Sequence, residues 1–353
     1  MNAQAYIAKM KNIQGALLEL LDNIEYSDSD LQQFTKMITD QNVQDEMLKD
    51  FLHLLSKMSA DHQRSPHLIK KVEYILAFLK KEIISKFSNT SLFNIFKKNK
   101  RILLFLIKER FIEIDEYLHD FMSDHNDYID YFAPELISYM SNEARNEEED
   151  DLFEENRRIG ENHNYICKLI RDDSVKEFIS HVNKANLPIK KAQIQQSCFE
   201  TNWFLINQFE ISLMEYAAFF GSLKIIRYLQ MNGVEFTPTL WTFAVHSNNP
   251  ELIHFLEENR VPAAEYSDDD YEDIYEESVK CFHNDIAQYV KNNFLKEKDY
   301  DQLKLIKFYN FEFIPDDFGN EEYFNYFCRC DYLSLVNIFI NDMDLNAKYE
   351  NVL

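Results

Sequence analysis

Ser212-Leu-Met-Glu-Tyr-Ala-Ala-Phe-Phe-Gly-Ser-Leu-Lys-Ile-Ile-Arg-Tyr-Leu-Gln-Met-Asn-Gly233 is the stretch that decides the fold. It reads as two short helices joined by a tight turn. Ala217 and Ala218 lack bulk, so a neighbouring helix can approach closely, and Gly221 supplies the backbone freedom the turn needs. Leu223, Ile225, Ile226 and Leu229 fall at helical spacing on the second helix. Gly233 then stops that helix at a left-handed cap. Units of this kind stack, bury a continuous core and leave a long surface for partners. That points to binding, not catalysis.

Working outward, degenerate copies recur. Placing Leu213 on Leu240 puts Ala217-Ala218 on Ala244-Val245, Gly221 on Asn248, and Leu229 on Leu256. The same frame takes in Ile274 with Ser278-Val279 and Val290, and Tyr323 with Phe327-Cys328 and Phe339. Weaker copies begin near Thr90 and His163. At the turn, Gly221, Asn248 and Asp331 are residue types that tolerate a left-handed backbone. Phe282 does not fit there, which weakens its copy. The steps between copies are 27, 34 and 49 residues, against about 33 for an ankyrin repeat. The expectation is an all-α, irregular ankyrin-like helix-turn-helix solenoid with an N-terminal helical bundle or cap.

Composition agrees. The 353 residues are 46% hydrophobic with only 5 Gly and 7 Pro, so long helices with short connections fit better than strands and turns. The net charge of −24, from 61 acids and 37 bases, repels phosphate backbones and anionic membranes. The longest concentrated apolar run, Ile102 to Ile107, is far too short to span a bilayer. The start lacks a secretory apolar core. Five widely spread cysteines suit free thiols in a reducing compartment, so the expected location is cytoplasmic.

The expected organisation is a helical cap over 1–88, a degenerate helix pair and connection over 89–142, an acidic linker over 143–158, and degenerate repeats over 159–353. In the last pair, Tyr323, Phe324, Tyr326 and Phe327 are too aromatic for a solvent-facing cap. Docking of that face on a second copy or another protein, or fraying of the pair, is therefore expected. Asp344-Leu-Asn-Ala-Lys348 resembles the opening of a further repeat.

The chain is similar to the N-terminal helical domain that precedes ankyrin arrays in trichomonad-type ankyrin-repeat proteins. The segments that carry the resemblance include 93–107, 159–173, Phe199-Glu-Thr-Asn-Trp-Phe-Leu205, 212–233, 249–258 and 284–290. The resemblance implies an α-solenoid scaffold and brings no ligand and no catalytic residues. Relatives commonly continue into a regular array, whereas this chain stops at Leu353.

Motifs for chemistry are scarce. His246, His254 and His283 sketch a metal site, but His246 and His254 are eight residues apart with no accompanying cysteine pair, so packing or surface histidines are expected. Cys328-Arg-Cys330 is too tightly spaced for a redox or zinc knuckle. No phosphate loop, nucleophile elbow or zinc-protease motif occurs. Glu265 to Glu277 holds eight carboxylates interleaved with Tyr266, Tyr271 and Tyr275. Its plain reading is a helix start whose acids suit the macrodipole. Its functional reading is an acidic and aromatic patch for a basic partner.

The resulting expectation is a non-catalytic protein–protein interaction scaffold without cofactor or metal. Trp241, Phe243, His246, Tyr266, Asp268, Asp269, Asp270 and Tyr271 are its candidate partner-binding residues. The alternatives are an enzyme with a metal-dependent hydrolase-like site and a structural, self-associating subunit.

Overall fold

The computed structural model describes residues 1–43, 47–63, 67–140, 150–262, 270–295, 300–315, 318 and 321–342. Among these the regular structure is helical without a strand, and Gln193 and Ser212 form an isolated antiparallel bridge. The expected all-α class is met. No helix among them is long and apolar enough to cross a membrane.

The chain opens with α1 (Ala3–Asp22), α2 (Asp28–Asp40), α3 (Leu48–Asp61), α4 (Leu68–Phe78) and α5 (Lys80–Lys86). Then come α6 (Asn89–Phe96), α7 (Lys100–Lys108), α8 (Glu116–Asp124), α9 (Asn126–Ile129), α10 (Ala133–Met140) and α11 (Asp150–Ile159). The middle holds α12 (Tyr165–Arg171), α13 (Val175–Ala185), α14 (Trp203–Ile206), α15 (Leu213–Phe219) and α16 (Leu223–Met231). It continues with α17 (Leu240–His246), α18 (Pro250–Glu258), α19 (Asp270–Lys280) and α20 (Asn284–Asn293). After two short 3-10 turns, Gln302–Phe308 and Phe311–Phe313, the closing pair is α21 (Glu321–Arg329) and α22 (Leu333–Asp342).

Two compact units divide the chain. Met1–Ser59, Arg64–Phe87 and Lys298–Leu353 make the first, while Ala60–Gln63 and Ser88–Glu297 make the second. This departs from the expected boundaries, which set the head apart and left 298–353 with the repeats.

In the first unit, Tyr6, Met10, Ile13, Leu17 and Leu21 line the buried face of α1 at three- and four-residue steps. The Lys71 ammonium donates to the carbonyls of Leu20 (2.9 Å), Leu21 (3.0 Å) and Asn23 (2.6 Å), satisfying the end of α1 where the macrodipole favours a cation. Gln14 of α1 reaches the C-terminal segment: its Nε2 donates to Asn310 Oδ1 at 2.7 Å, and its Oε1 accepts from the Phe311 N–H at 2.8 Å. α22 packs on α1, and the Ser334 N–H donates to the buried Asp50 of α3 at 3.3 Å. Phe327 is fully buried, with Tyr323 and Phe324 half-buried. α22 of the closing pair therefore packs on the chain's own first helix, while Tyr323, Phe324 and Tyr326 of α21 stay partly exposed. Asp344 to Lys348 lie outside the described residues.

In the second unit, α12/α13, α15/α16, α17/α18 and α19/α20 are successive helix pairs, and α12, α15, α17 and α19 touch in order. Their turns share one backbone device. Asp173 (φ 45°), Gly221 (68°), Asn248 (49°) and Phe282 (60°) all adopt the left-handed conformation. At Asp173, Gly221 and Phe282 the next N–H bonds five residues back, as in Ser222 to Ala217 (2.9 Å) and His283 to Ser278 (3.1 Å), whereas the Asn249 N–H donates to the Ser247 hydroxyl at 3.2 Å. Phe282 thus keeps the turn its residue type argues against. A left-handed backbone costs about 1–2 kcal/mol, and full burial of a phenylalanine offsets it with about 1.5–3 kcal/mol. Phe282 is 3% exposed.

α15 begins in a capping box: the Ser212 hydroxyl accepts from the Glu215 N–H at 3.1 Å, and Glu215 returns to the Ser212 N–H at 2.9 Å. Ala217 and Ala218 are fully buried, and a Cβ at Gly221 would meet Ser247 Cβ at 3.2 Å.

The expected acidic linker is overturned in its described part, because 150–159 form α11. Acids fill its early turns and Arg157 and Arg158 its last, which suits the macrodipole. Arg157 is fully buried, 2.6 Å from both Glu135 and Glu154. Residues 143–149 lie outside the described residues.

Candidate functional site

Of the expected partner-binding residues, Trp241, Phe243 and His246 are 2%, 3% and 3% exposed, so they are core. They sit on α17, which is enclosed by α15 and α19. The Trp241 indole donates to the Val261 carbonyl at 3.0 Å and meets Phe294 edge-on. Tyr271 is half-buried and stacks on Phe294 at 5.4 Å. Tyr266, Asp268 and Asp269 lie outside the described residues, as does the side chain of Asp270, which opens α19. Trp241, Phe243 and His246 are therefore not offered at a surface. His254 is exposed, 3.2 Å from Glu258, and takes no part in a metal site with His246.

The structure instead opens a cavity of about 720 Å³ among α8, α9, the 194–198 loop and the segment from α14 to Ile211. Local chemistry holds these walls in place. The Ile194 N–H donates to the Ile211 carbonyl at 2.7 Å, closing the bridge that pins the loop to the start of α15. Asn162 Nδ2 donates to the Gln195 carbonyl at 2.7 Å. Glu200, 6% exposed, accepts the backbone N–H groups of Asn162 (3.2 Å), Thr201 (3.0 Å) and Asn202 (2.8 Å). Asn202 then caps α14 by accepting from the Leu205 N–H at 3.1 Å.

Four carboxylates line the cavity, Asp124, Asp127, Asp130 and Glu200, against one ammonium, Lys100. That ammonium is occupied already. Lys100 is 1% exposed, donates to the carbonyls of Asp127 (2.9 Å) and Cys198 (3.3 Å), and lies 5.2 Å above the Tyr131 ring. Glu200 is spent on its backbone bonds. Asp124 and Asp130 are exposed, and Asp127 is half-buried with its Oδ2 buried and without a hydrogen-bond partner. Trp203 and Phe209 supply apolar surface, and Phe209 is 91% exposed.

Nucleophilic chemistry is poorly served here. Burial and then Asp130 push the Cys198 thiol up, away from the reactive thiolate. Burial and the nearby Glu200 raise the Tyr216 phenol, which accepts from Arg171 at 3.0 Å. His125 stacks on Phe121 with its Nδ1 2.6 Å from that residue's carbonyl. An acidic floor with an aromatic lip suits a cation on an apolar stem.

Sequence reasoning missed this site because its carboxylates form no run. The available signal was Glu200-Thr-Asn-Trp203, an N-cap pattern leading into one of only two tryptophans. No protein-family model, curated protein or solved structure matches the chain.

Proposed function

We propose that the protein is a non-catalytic protein-interaction scaffold of ankyrin-like build, related to the helical domains that precede ankyrin arrays. Its cavity takes a lysine or arginine side chain from a basic segment of its partner. The stack of α12, α15, α17 and α19 with one recurring turn supports the ankyrin-like build. The observation that carries the binding reading is Asp127, whose Oδ2 is buried and unpartnered in the same cavity as Asp124, Asp130 and the exposed Phe209. The overall charge of −24 would steer such a segment toward the chain.

The test measures fluorescence anisotropy of an arginine-rich peptide and of a glutamate-rich one, across salt. Tight, salt-weakened binding of the arginine-rich peptide alone is expected. It should be lost in Asp124→Asn/Asp127→Asn/Asp130→Asn and kept in the charge-matched Glu177→Gln/Glu235→Gln/Glu258→Gln, whose residues are exposed and outside the cavity. Equal loss in both triple variants would mean general electrostatic attraction and would overturn the cavity as the site.

A further inference from the structure

We propose that Asp50 is a proton-operated latch on the closing helix pair: α22 sits most firmly on α1 and α3 when the Asp50 carboxyl holds a proton, and loosens when it does not. The latch lies within the first unit and is separate from the cavity.

Asp50 stands on α3 and is fully buried. Its Oδ2 accepts from the Tyr6 hydroxyl of α1 and from the Ser334 N–H of α22, the latter at 3.3 Å. One oxygen thus ties three elements together, with Tyr6 and Ser334 lying 44 and 284 residues from Asp50 in sequence. Its Oδ1 is also buried and has no hydrogen-bond partner among the described residues. A charged carboxylate left in this way is costly, and a proton on Oδ1 removes the charge. A neutral buried hydroxyl costs far less than a buried ion.

The groups facing Asp50 offer little to offset a negative charge. Tyr6 on α1, Tyr309 at the end of the first 3-10 turn, and Cys330 and Tyr332 at the turn of the closing pair stay neutral, because burial raises each above its ordinary value. The Tyr309 and Tyr332 rings stack at 4.1 Å, and the His53 ring stacks on Tyr309 at 4.8 Å. On α3 itself, Lys49 and His53 both turn to Asp331, at 2.6 Å and 3.4 Å.

Burial raises the Asp50 carboxyl above its ordinary 3.8, and the hydrogen bonds from Tyr6 and Ser334, then the nearby His53, oppose this only in part. A carboxyl raised by folding contributes its full stability below 3.8 and loses it as pH rises through its folded value. Asp331 runs the opposite way. Lowered to about 2, it contributes above 3.8 and loses that contribution as pH falls. The two carboxyls therefore hold the closing pair best in a mildly acidic window, bounded below by 3.8 and above by the raised value of Asp50. Above that window the charged Asp50 favours a local opening of α22, which uncovers the face of α1 that carries Tyr6.

The experiment follows hydrogen exchange of α21 and α22 in the full chain by mass spectrometry, as protection relative to the unstructured rate, from pH 3.8 to mildly alkaline conditions. Protection should be greatest in mild acid and fall as pH rises. Asp50→Asn mimics the protonated carboxyl. Its protection should exceed the parent's several-fold in mild alkali, with the gap closing toward pH 3.8. Protection of α20, in the second unit, should be the same in parent and variant at every pH. Tyr6→Phe removes a hydroxyl that steadies the charged form, so it should move the fall in protection to higher pH, and it keeps the test valid if Asp50→Asn fails to fold. Equal or lower protection of α22 in Asp50→Asn in mild alkali, or a fall that moves to lower pH in Tyr6→Phe, would overturn the latch.

Discussion

The Lys49 ammonium stands 2.6 Å from the Asp331 carboxylate, an ion pair across 282 residues of sequence that joins α3 to the turn of the closing helix pair. Asp331 also lies 3.4 Å from His53 Nε2, and it occupies the left-handed position of that turn (φ 65°).

The first prediction follows from this contact. His53 first, and Lys49 with it, hold the Asp331 carboxyl down to about 2. A carboxyl lowered by folding stabilises the native state above its unfolded value of 3.8 and loses that contribution as pH falls toward 2. Its side chain is 51% exposed, so the contribution is small, below about 1 kcal/mol. Asp331→Asn should be slightly less stable than the parent at neutral pH, with the gap closing between those two values. Urea denaturation across that window checks it, and a gap that widens on acidification would contradict the pairing.

Phe282 gives the second. Asparagine suits a left-handed turn better, so backbone preference alone favours Phe282→Asn. The ring is nearly fully buried, however, and truncating a buried phenylalanine costs about 3–5 kcal/mol, more than the strain it relieves. Phe282→Asn should lower the melting temperature. A rise would show that strain, not burial, dominates at this turn.

The third concerns Arg157, which joins Glu135 and Glu154 and lies 5.4 Å from the Tyr131 ring centroid. Removing one partner of a buried ion pair costs about 3–5 kcal/mol. Arg157→Ala should lose stability on that scale, and Arg157→Lys should restore little, since a lysine cannot fork to two carboxylates. Chemical denaturation that finds the lysine variant as stable as the parent would mean a simple charge suffices.

The last prediction tests the close approach of α15 to α17. Ala217 is fully buried, so Ala217→Leu should overpack the contact and cost about 1–3 kcal/mol. An unchanged melting temperature would place Ala217 at a loose site.

What the sequence by itself determined is local. The Ser212–Glu215 capping box, the left-handed turns at Gly221 and Asn248, and the helical spacing of Ile225, Ile226 and Leu229 all depend on residues within a few positions of one another. Such preferences act before any tertiary contact forms. The tertiary structure decided what depends on distant partners. Phe282 accepts a left-handed backbone because its ring finds burial, and Trp241 and His246 are core because neighbouring helices enclose α17. Arg157 anchors the supposed linker as a helix because Glu135 waits beside it. Asn310, Phe311, Asp331 and Ser334 join the first helices through Gln14, Lys49 and Asp50, none of which carries a repeat signature. The cavity around Asp127 is of this second kind. Its residues share no motif, and only helix packing brings their charges within reach of one another.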